Sequence, residues 1–238
     1  MHVFFVLALA LAPCAAIVLY IYWKDEHEPE PIGLLIKSFF LGIVSTIITL
    51  LLSWPINAVI PIDPASVTQQ AVHAFILVAF IEELSKFVFV RWVLYPNPNF
   101  NEPYDGIVYA VTISLGFAGL ENILYVWDGG FEVAIIRMFT AVPAHATFGA
   151  LMGYFLGIAK FQHKKEHYSL YALGVATLFH GAYDYFWFIS YVPGIWVGAI
   201  ASLVTGVVLS RNAIRIHQQN SPFINKGTSE LKNNEFGT

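Results

Sequence analysis

The chain has 238 residues, of which 57% are hydrophobic and only 12% charged, and a formal net charge of −4. Soluble domains carry about twice that share of charge, so the composition excludes an ordinary soluble domain and gives no reason to expect nucleic acid as a partner. The single cysteine, Cys14, excludes an intramolecular disulfide or a multi-cysteine metal site and, lying in an apolar run, reads as a packing residue.

Residues 3–23 form an apolar run long enough to cross a bilayer. No Lys or Arg precedes it, so the basic start of a secretory signal is missing, and Pro13 before Cys14 argues against a lipoprotein cleavage site. The run reads as a retained first membrane helix. Further spans are expected over 32–54, 71–95, 105–127, 131–159, 168–189 and 191–210, each able to cross a core of about 30 Å at about 1.5 Å per residue. Turn-forming chemistry separates them: Glu28-Pro29-Glu30-Pro31, Pro61-Ile62-Asp63-Pro64, Pro96-Asn97-Pro98-Asn99 and Asp128-Gly129-Gly130. The break near 190–194 is short enough that six spans are an alternative count. The expected fold is all-α: a polytopic membrane bundle of about seven transmembrane helices enclosing a polar cavity. Residues 1–210 would form the membrane-embedded domain, and 211–238 a cytoplasmic, polar, disordered tail.

Charge placement orients the bundle. With the N-terminus outside, Lys24, Lys37, Arg91, Lys160, Lys164, Lys165, Arg211, Arg215, Lys226 and Lys232 all lie on or near the cytoplasmic side, ten of the twelve basic residues. Lys86 and Arg137 fall within spans, where Arg137 is expected to snorkel or to pair with Glu132 or Asp128.

Several polar residues stand where hydrocarbon is expected. The third span carries Glu82, Glu83 and Lys86, the fourth Glu121 and Asn122, the fifth His145, and the sixth His180 and Asp184. An ionisable group near the bilayer centre costs roughly 2.5–3.5 kcal/mol on translocon scales, so such groups persist when they face one another or a wet cavity. Spacing sorts them. Glu82 and Lys86 are four apart and share a face, whereas Glu83 points about 100° away from Glu82. The two carboxylates can then serve different partners, one catalytic and one structural. His180 and Asp184 are again four apart, a pairing in which the acid fixes the imidazole tautomer. Ala141, His145, Gly149, Gly153 and Gly157 form a row of small residues that lets helices approach closely.

Such a cluster suits hydrolysis. A buried carboxylate can take a proton from water, histidines can polarise a carbonyl or bind a metal, and Asn122 can donate to an oxyanion. No His-Glu-x-x-His or Gly-x-Ser-x-Gly signature is present. Buried Glu, His and Asp also suit a transporter or a proton or cation relay, although the repeated halves common in transporters are missing.

Glu82-Glu83-x-x-Lys86, Phe117-Ala118-x-x-Glu121-Asn122, Pro143-x-His145-Ala146-x-x-Gly149 and His180-Gly181-x-x-Asp184 resemble the four motifs of the PrsW family. The stretches Lys24–Pro31 and Asn101–Tyr109 also look like family hallmarks. The resemblance implies a multi-pass protease of the bacterial plasma membrane, related to the CAAX prenyl endopeptidases and the Abi proteins. Its substrate would be a single-pass membrane protein such as an anti-sigma factor, given its first cut in regulated proteolysis. It implies catalytic roles for Glu82, Glu83, Glu121, His145 and His180, with Lys86, Asn122 and Asp184 in support. Glu82 would be the general base, and His180 would hold the water or the oxyanion. Asp184 stands where the CAAX-endopeptidase relatives commonly carry Asn, and Glu121 where they carry His. No cofactor is favoured; a divalent metal such as zinc is the alternative, with Glu121, His145 and His180 as candidate ligands.

Overall fold

The computed structural model describes residues 2–163 and 165–224. Among them every regular element is helical and there is no strand. The rods are α1 (His2–Trp23), α2 (Ile32–Val59), α3 over residues 67–94, α4 (Pro103–Phe139), α5 (Ala141–Phe161), α6 (Lys165–Phe188) and α7 (Val197–Gln219). The third is not uniform. It is α-helical over Val67–Val72, widens to π-helical turns at His73–Phe80, tightens again over Ile81–Phe89 and widens once more at Val90–Leu94.

Helix α2 shows why the bundle needs lipid. It buries Ser38, Gly42, Ser45, Thr46 and Thr49 and turns Ile36, Phe40, Ile47, Leu51 and Trp54 outward. A soluble amphipathic helix does the reverse, and a continuous apolar outer face is stable only against hydrocarbon. By length and composition α2, α7 and the stretch Pro103–Phe161 can each cross a membrane, and α1 holds a shorter apolar run, Leu7–Trp23. The fold is that of a multi-pass membrane protein.

Helix α4 is the axis of the molecule, with residues 104–119 buried throughout and α1, α2 and α5 packed along it. Two glycine contacts set how close the neighbours come. A Cβ on Gly153 would run into the Gly106 carbonyl of α4, and one on Gly42 into the Ile113 carbonyl. The backbones therefore touch, the close approach that small-residue rows allow.

The structure corrects the expected fifth span. It is not one rod over 131–159, because Gly130 adopts φ +71° and Thr140 leaves helical geometry at φ −122° and ψ −77°. Residues 131–139 form a separate arm between these breaks. Pro143 gives the physical reason for the second break. In a rod beginning at Phe131 it would lack a needed N–H, whereas in the first turn of α5 that N–H has no partner to lose. The last helix also differs from its expected end at 210, running on to Gln219. His217 is buried there, with its ring 4.6 Å from that of Tyr154 and its Nε2 2.9 Å from the Tyr154 carbonyl. From residue 225 onward the expected disordered tail lies outside the described residues.

Candidate active site

Glu82 and Glu83 open the α-helical part of α3, directly after its wide turns, a backbone form frequent at functional sites. As adjacent residues on a helix they diverge. Glu82 lines a cavity, while Glu83 points into the bundle with no exposed surface. One Glu83 oxygen, Oε1, accepts from Lys86 Nζ at 2.7 Å and from His180 Nδ1 at 2.8 Å. Lys86 is therefore closer to Glu83 than to its expected partner, since Glu82 Oε2 lies 3.6 Å away. The ammonium also donates to His145 Nδ1 at 3.2 Å and sits 4.0 Å from the centre of the Phe117 ring.

Those bonds fix the rings. With Nδ1 of His145 accepting from Lys86, its Nε2 carries the hydrogen and donates to Glu121 Oε2 at 2.9 Å. His180 gives its Nδ1 hydrogen to Glu83 and turns Nε2 toward Asp184 Oδ2 at 3.2 Å and Glu82 Oε2 at 3.8 Å. Phe148 stacks on the His180 imidazole at 4.7 Å and 15°. The expected i,i+4 pair on α6 is thus formed.

Arg137 was expected to pair with Glu132 or Asp128 and does neither. It donates to Glu121 Oε2 at 2.8 Å and to Asn122 Oδ1 at 2.6 Å, while Asn122 Nδ2 donates to the Ala10 carbonyl of α1 at 3.2 Å. A straight helix would separate residues 122 and 137 by about 22 Å, beyond an arginine's reach. The reversal at Gly130 folds the 131–139 arm back over the site. A Gly-Gly pair in the sequence signals such a break without giving its direction.

The cavity has a volume of about 770 Å³. Glu82, Glu121, Arg137, His145, His180 and Asp184 all line it, and Glu83 and Lys86 stand behind its wall. Thr46, Thr49, Ser53 and Asn57 place a polar stripe of α2 along one side. Thr49 meets Ser85 at 2.9 Å, and Ser85 Oγ donates to the Glu82 carbonyl at 2.8 Å. Glu82 Oε2 is buried with no hydrogen-bond partner.

Glu82, His145 and His180 each offer a ligand atom, all within 4.8 Å of one another. The carboxylate of this trio is Glu82 rather than the expected Glu121, which Arg137 and His145 engage. Two imidazoles and one carboxylate are a set that zinc accepts, and Glu83 behind His180 is the kind of outer partner that orients a ligating ring. The unpartnered Glu82 oxygen completes the fit.

Fold and site together define a multi-pass membrane protein with a buried acid–histidine centre. The chain belongs to the PrsW family: the family described as PrsW family intramembrane metalloprotease matches residues 30–210. Protease PrsW of Geobacillus kaustophilus is 38% identical over 183 residues, covering 76% of this chain and 79% of that protein. The Bacillus subtilis relative of the same name is 37% identical over 186 residues, covering 76% and 82%. That of Clostridioides difficile is 30% identical over 191 residues, covering 77% and 79%. No solved structure matches the chain significantly. The protein is a membrane protease, a peptide hydrolase of this family.

Proposed function

We propose that the protein cuts a membrane-anchored substrate within the bilayer, with Glu82 as the general base. One observation carries this reading: the unpartnered Glu82 Oε2 lies on the cavity wall, 3.8 Å from His180 Nε2. Water beside Glu82 gives it a proton, and the resulting hydroxide adds to the scissile carbonyl. His180 and His145 face the developing oxyanion, which stabilises it. The proton then passes from Glu82 to the departing amine as the C–N bond breaks, leaving a carboxylate and an amine. Glu83 and Asp184 hold His180, Glu121 with Arg137 holds His145, and Lys86 balances the charge of Glu83. No resident cofactor is favoured, since the Lys86 ammonium already places positive charge 3.6 Å from Glu82. A divalent ion held by Glu82, His145 and His180 would polarise the carbonyl and acidify bound water.

The reading includes seven spans in a bacterial plasma membrane, N-terminus outside and C-terminus cytoplasmic, around a polar cavity open toward the outer half. The polar stripe on α2 supports a water path to Glu82 from that side. The substrate class is a single-pass membrane protein, of which an anti-sigma factor is the family-implied case. Cleavage of a single-pass substrate by purified protein in proteoliposomes tests the assignment. Glu82→Gln is expected to lower turnover by about 10²–10⁴-fold, and wild-type turnover in that variant would refute Glu82 as base. Elemental analysis of wild type beside His180→Ala separates the two chemistries. A stoichiometric metal lost in the variant makes the enzyme a metallopeptidase, and cleavage in chelator by metal-free protein supports activation by Glu82 alone.

A further inference from the structure

The stretches 24–31 and 101–109 take no part in the Glu82 centre. They meet at the other end of the bundle, sixteen residues along α4 from Glu121, or about 24 Å. Four carboxyls converge there: Asp25 at 3% exposure, Glu30 at 2%, Glu102 at 1% and Asp105 at 0%. Asp25 contacts Glu102, and Glu30 contacts Asp105, each pair at hydrogen-bonding range. The two aspartates are each half used. Asp25 Oδ2 accepts from the Glu30 N–H at 3.2 Å, and Asp105 Oδ2 accepts from those of Asn101 at 2.7 Å and Glu102 at 2.8 Å. The second oxygen of each, Asp25 Oδ1 and Asp105 Oδ1, is buried with no partner, as is Glu28 Oε2 beside them. Tyr109 donates its hydroxyl to Glu30, and Ser221 donates to Glu102.

Among the described residues, no Lys, Arg or His forms an ion pair with any of the four. Lys24 is paired with Glu26 at 3.6 Å, Lys160 is bonded to the Tyr95 carbonyl, and His27 is exposed. Buried carboxylates without a counter-charge are strongly destabilising. A small cavity of about 70 Å³, lined by Glu28, Glu30, Asn99 and Asn101, leads in from the surface.

We infer that this cluster is a binding site for a hard divalent cation of the calcium or magnesium class, ligated by Asp25 and Asp105 through their free oxygens and by Glu30 and Glu102. The donors are all oxygen, with neither imidazole nor thiolate, which is the set these ions take. The bound ion ties the α1–α2 loop to the start of α4 and, through Glu102 and Ser221, to the segment after α7. Without it protons take the cation's place: burial and the facing Asp105 and Glu102 push Asp25 up to about 8, and burial raises Glu30 to about 7.

Terbium luminescence of the full chain in detergent, stripped with chelator, tests the site, because Tyr109 and Tyr104 lie close enough to sensitise the ion. Tyrosine-excited emission is expected to saturate near one equivalent, to be displaced by calcium, and to persist in Glu82→Gln. It is expected to vanish in Asp25→Asn. Glu30→Gln, judged beside circular dichroism, serves as the second variant should the first fail to fold. Calcium or magnesium at a hundredfold excess over Kd should raise Tm by about 5–10 °C in wild type and leave Asp25→Asn unmoved. Emission lost in Glu82→Gln but kept in Asp25→Asn and Glu30→Gln would move the ion to the active site and overturn the proposal. So would a Tm that responds to pH but to no divalent cation, with no emission above the Asp25→Asn background.

Discussion

The two ends of α4 bury carboxylates by opposite means. At the Glu121 end the chain brings its own cations: Lys86 lies 2.7 Å from Glu83, and Arg137 2.8 Å from Glu121. At the Asp105 end four buried acids meet hydroxyls and backbone N–H groups, and no basic side chain of the described residues pairs with them. An internal cation fixes charge permanently and leaves Glu82 as the one carboxylate oxygen turned to the cavity without a bond. An end without one must take its positive charge from solution, as protons or as a metal ion. The same burial cost thus yields a fixed site for chemistry at one end and a responsive tie at the other.

Removing the internal cation should break this contrast most severely. Lys86→Met leaves Glu83 buried, bonded only by His180, and the loss of one partner of a buried pair costs about 3–5 kcal/mol. Poor accumulation and a large drop in Tm are expected. Lys86→Met combined with Glu83→Gln should recover most of the stability, since the uncompensated charge is then gone. A double variant no more stable than Lys86→Met would show that Lys86 acts by some means other than balancing Glu83.

The next effect is on packing. Gly153→Ala sets a methyl against the Gly106 carbonyl at the α4–α5 contact, and overpacking of this kind costs about 1–3 kcal/mol. The shift moves His145, so activity should fall together with Tm. An unchanged Tm would mean that α5 can back away from α4, and that the close approach does not set the position of His145.

How far the sequence reveals the two ends differs. Glu82, Glu83, His145 and His180 stand out because charge in an apolar run demands a partner, and spacing alone separates Glu82 from Glu83. The i,i+4 pair of His180 and Asp184 is equally readable, because both residues ride on one regular helix. Arg137 is not readable, since its partners lie across a reversal whose direction depends on the φ of +71° at Gly130. Nor are the wide turns of α3, which carry no composition of their own. The acidic end is half readable. Its two stretches attract notice in the sequence, but Glu30 meets Tyr109, and Glu102 meets Ser221, only through the folded bundle.

Arg137 offers a finer probe of the active end. Arg137→Lys keeps the charge but loses the fork that reaches Glu121 and Asn122 together. Because Arg137 positions His145 through Glu121, a loss in kcat of up to roughly 100-fold is expected, with little change in Tm. A Tm that fell in step with kcat would make the residue a structural strut instead.

The gentlest test acts on the acidic end through pH. The Asp25 carboxyl is raised from 3.8 when unfolded to about 8 in the fold. Between those values the folded state holds the extra proton, so stability is full at low pH and falls as pH rises toward 8. Glu30, raised from 4.5 to about 7, slopes the same way. In chelator, Tm should therefore decline from about pH 5 to pH 8, and Asp25→Asn, which has no proton to lose, should flatten part of that decline. Saturating calcium should flatten it in wild type as well, because the ion supplies the charge that the departing protons leave behind. A decline unchanged by both treatments would place its origin in groups other than this cluster, and the two ends of α4 would then no longer differ in the way their burial suggests.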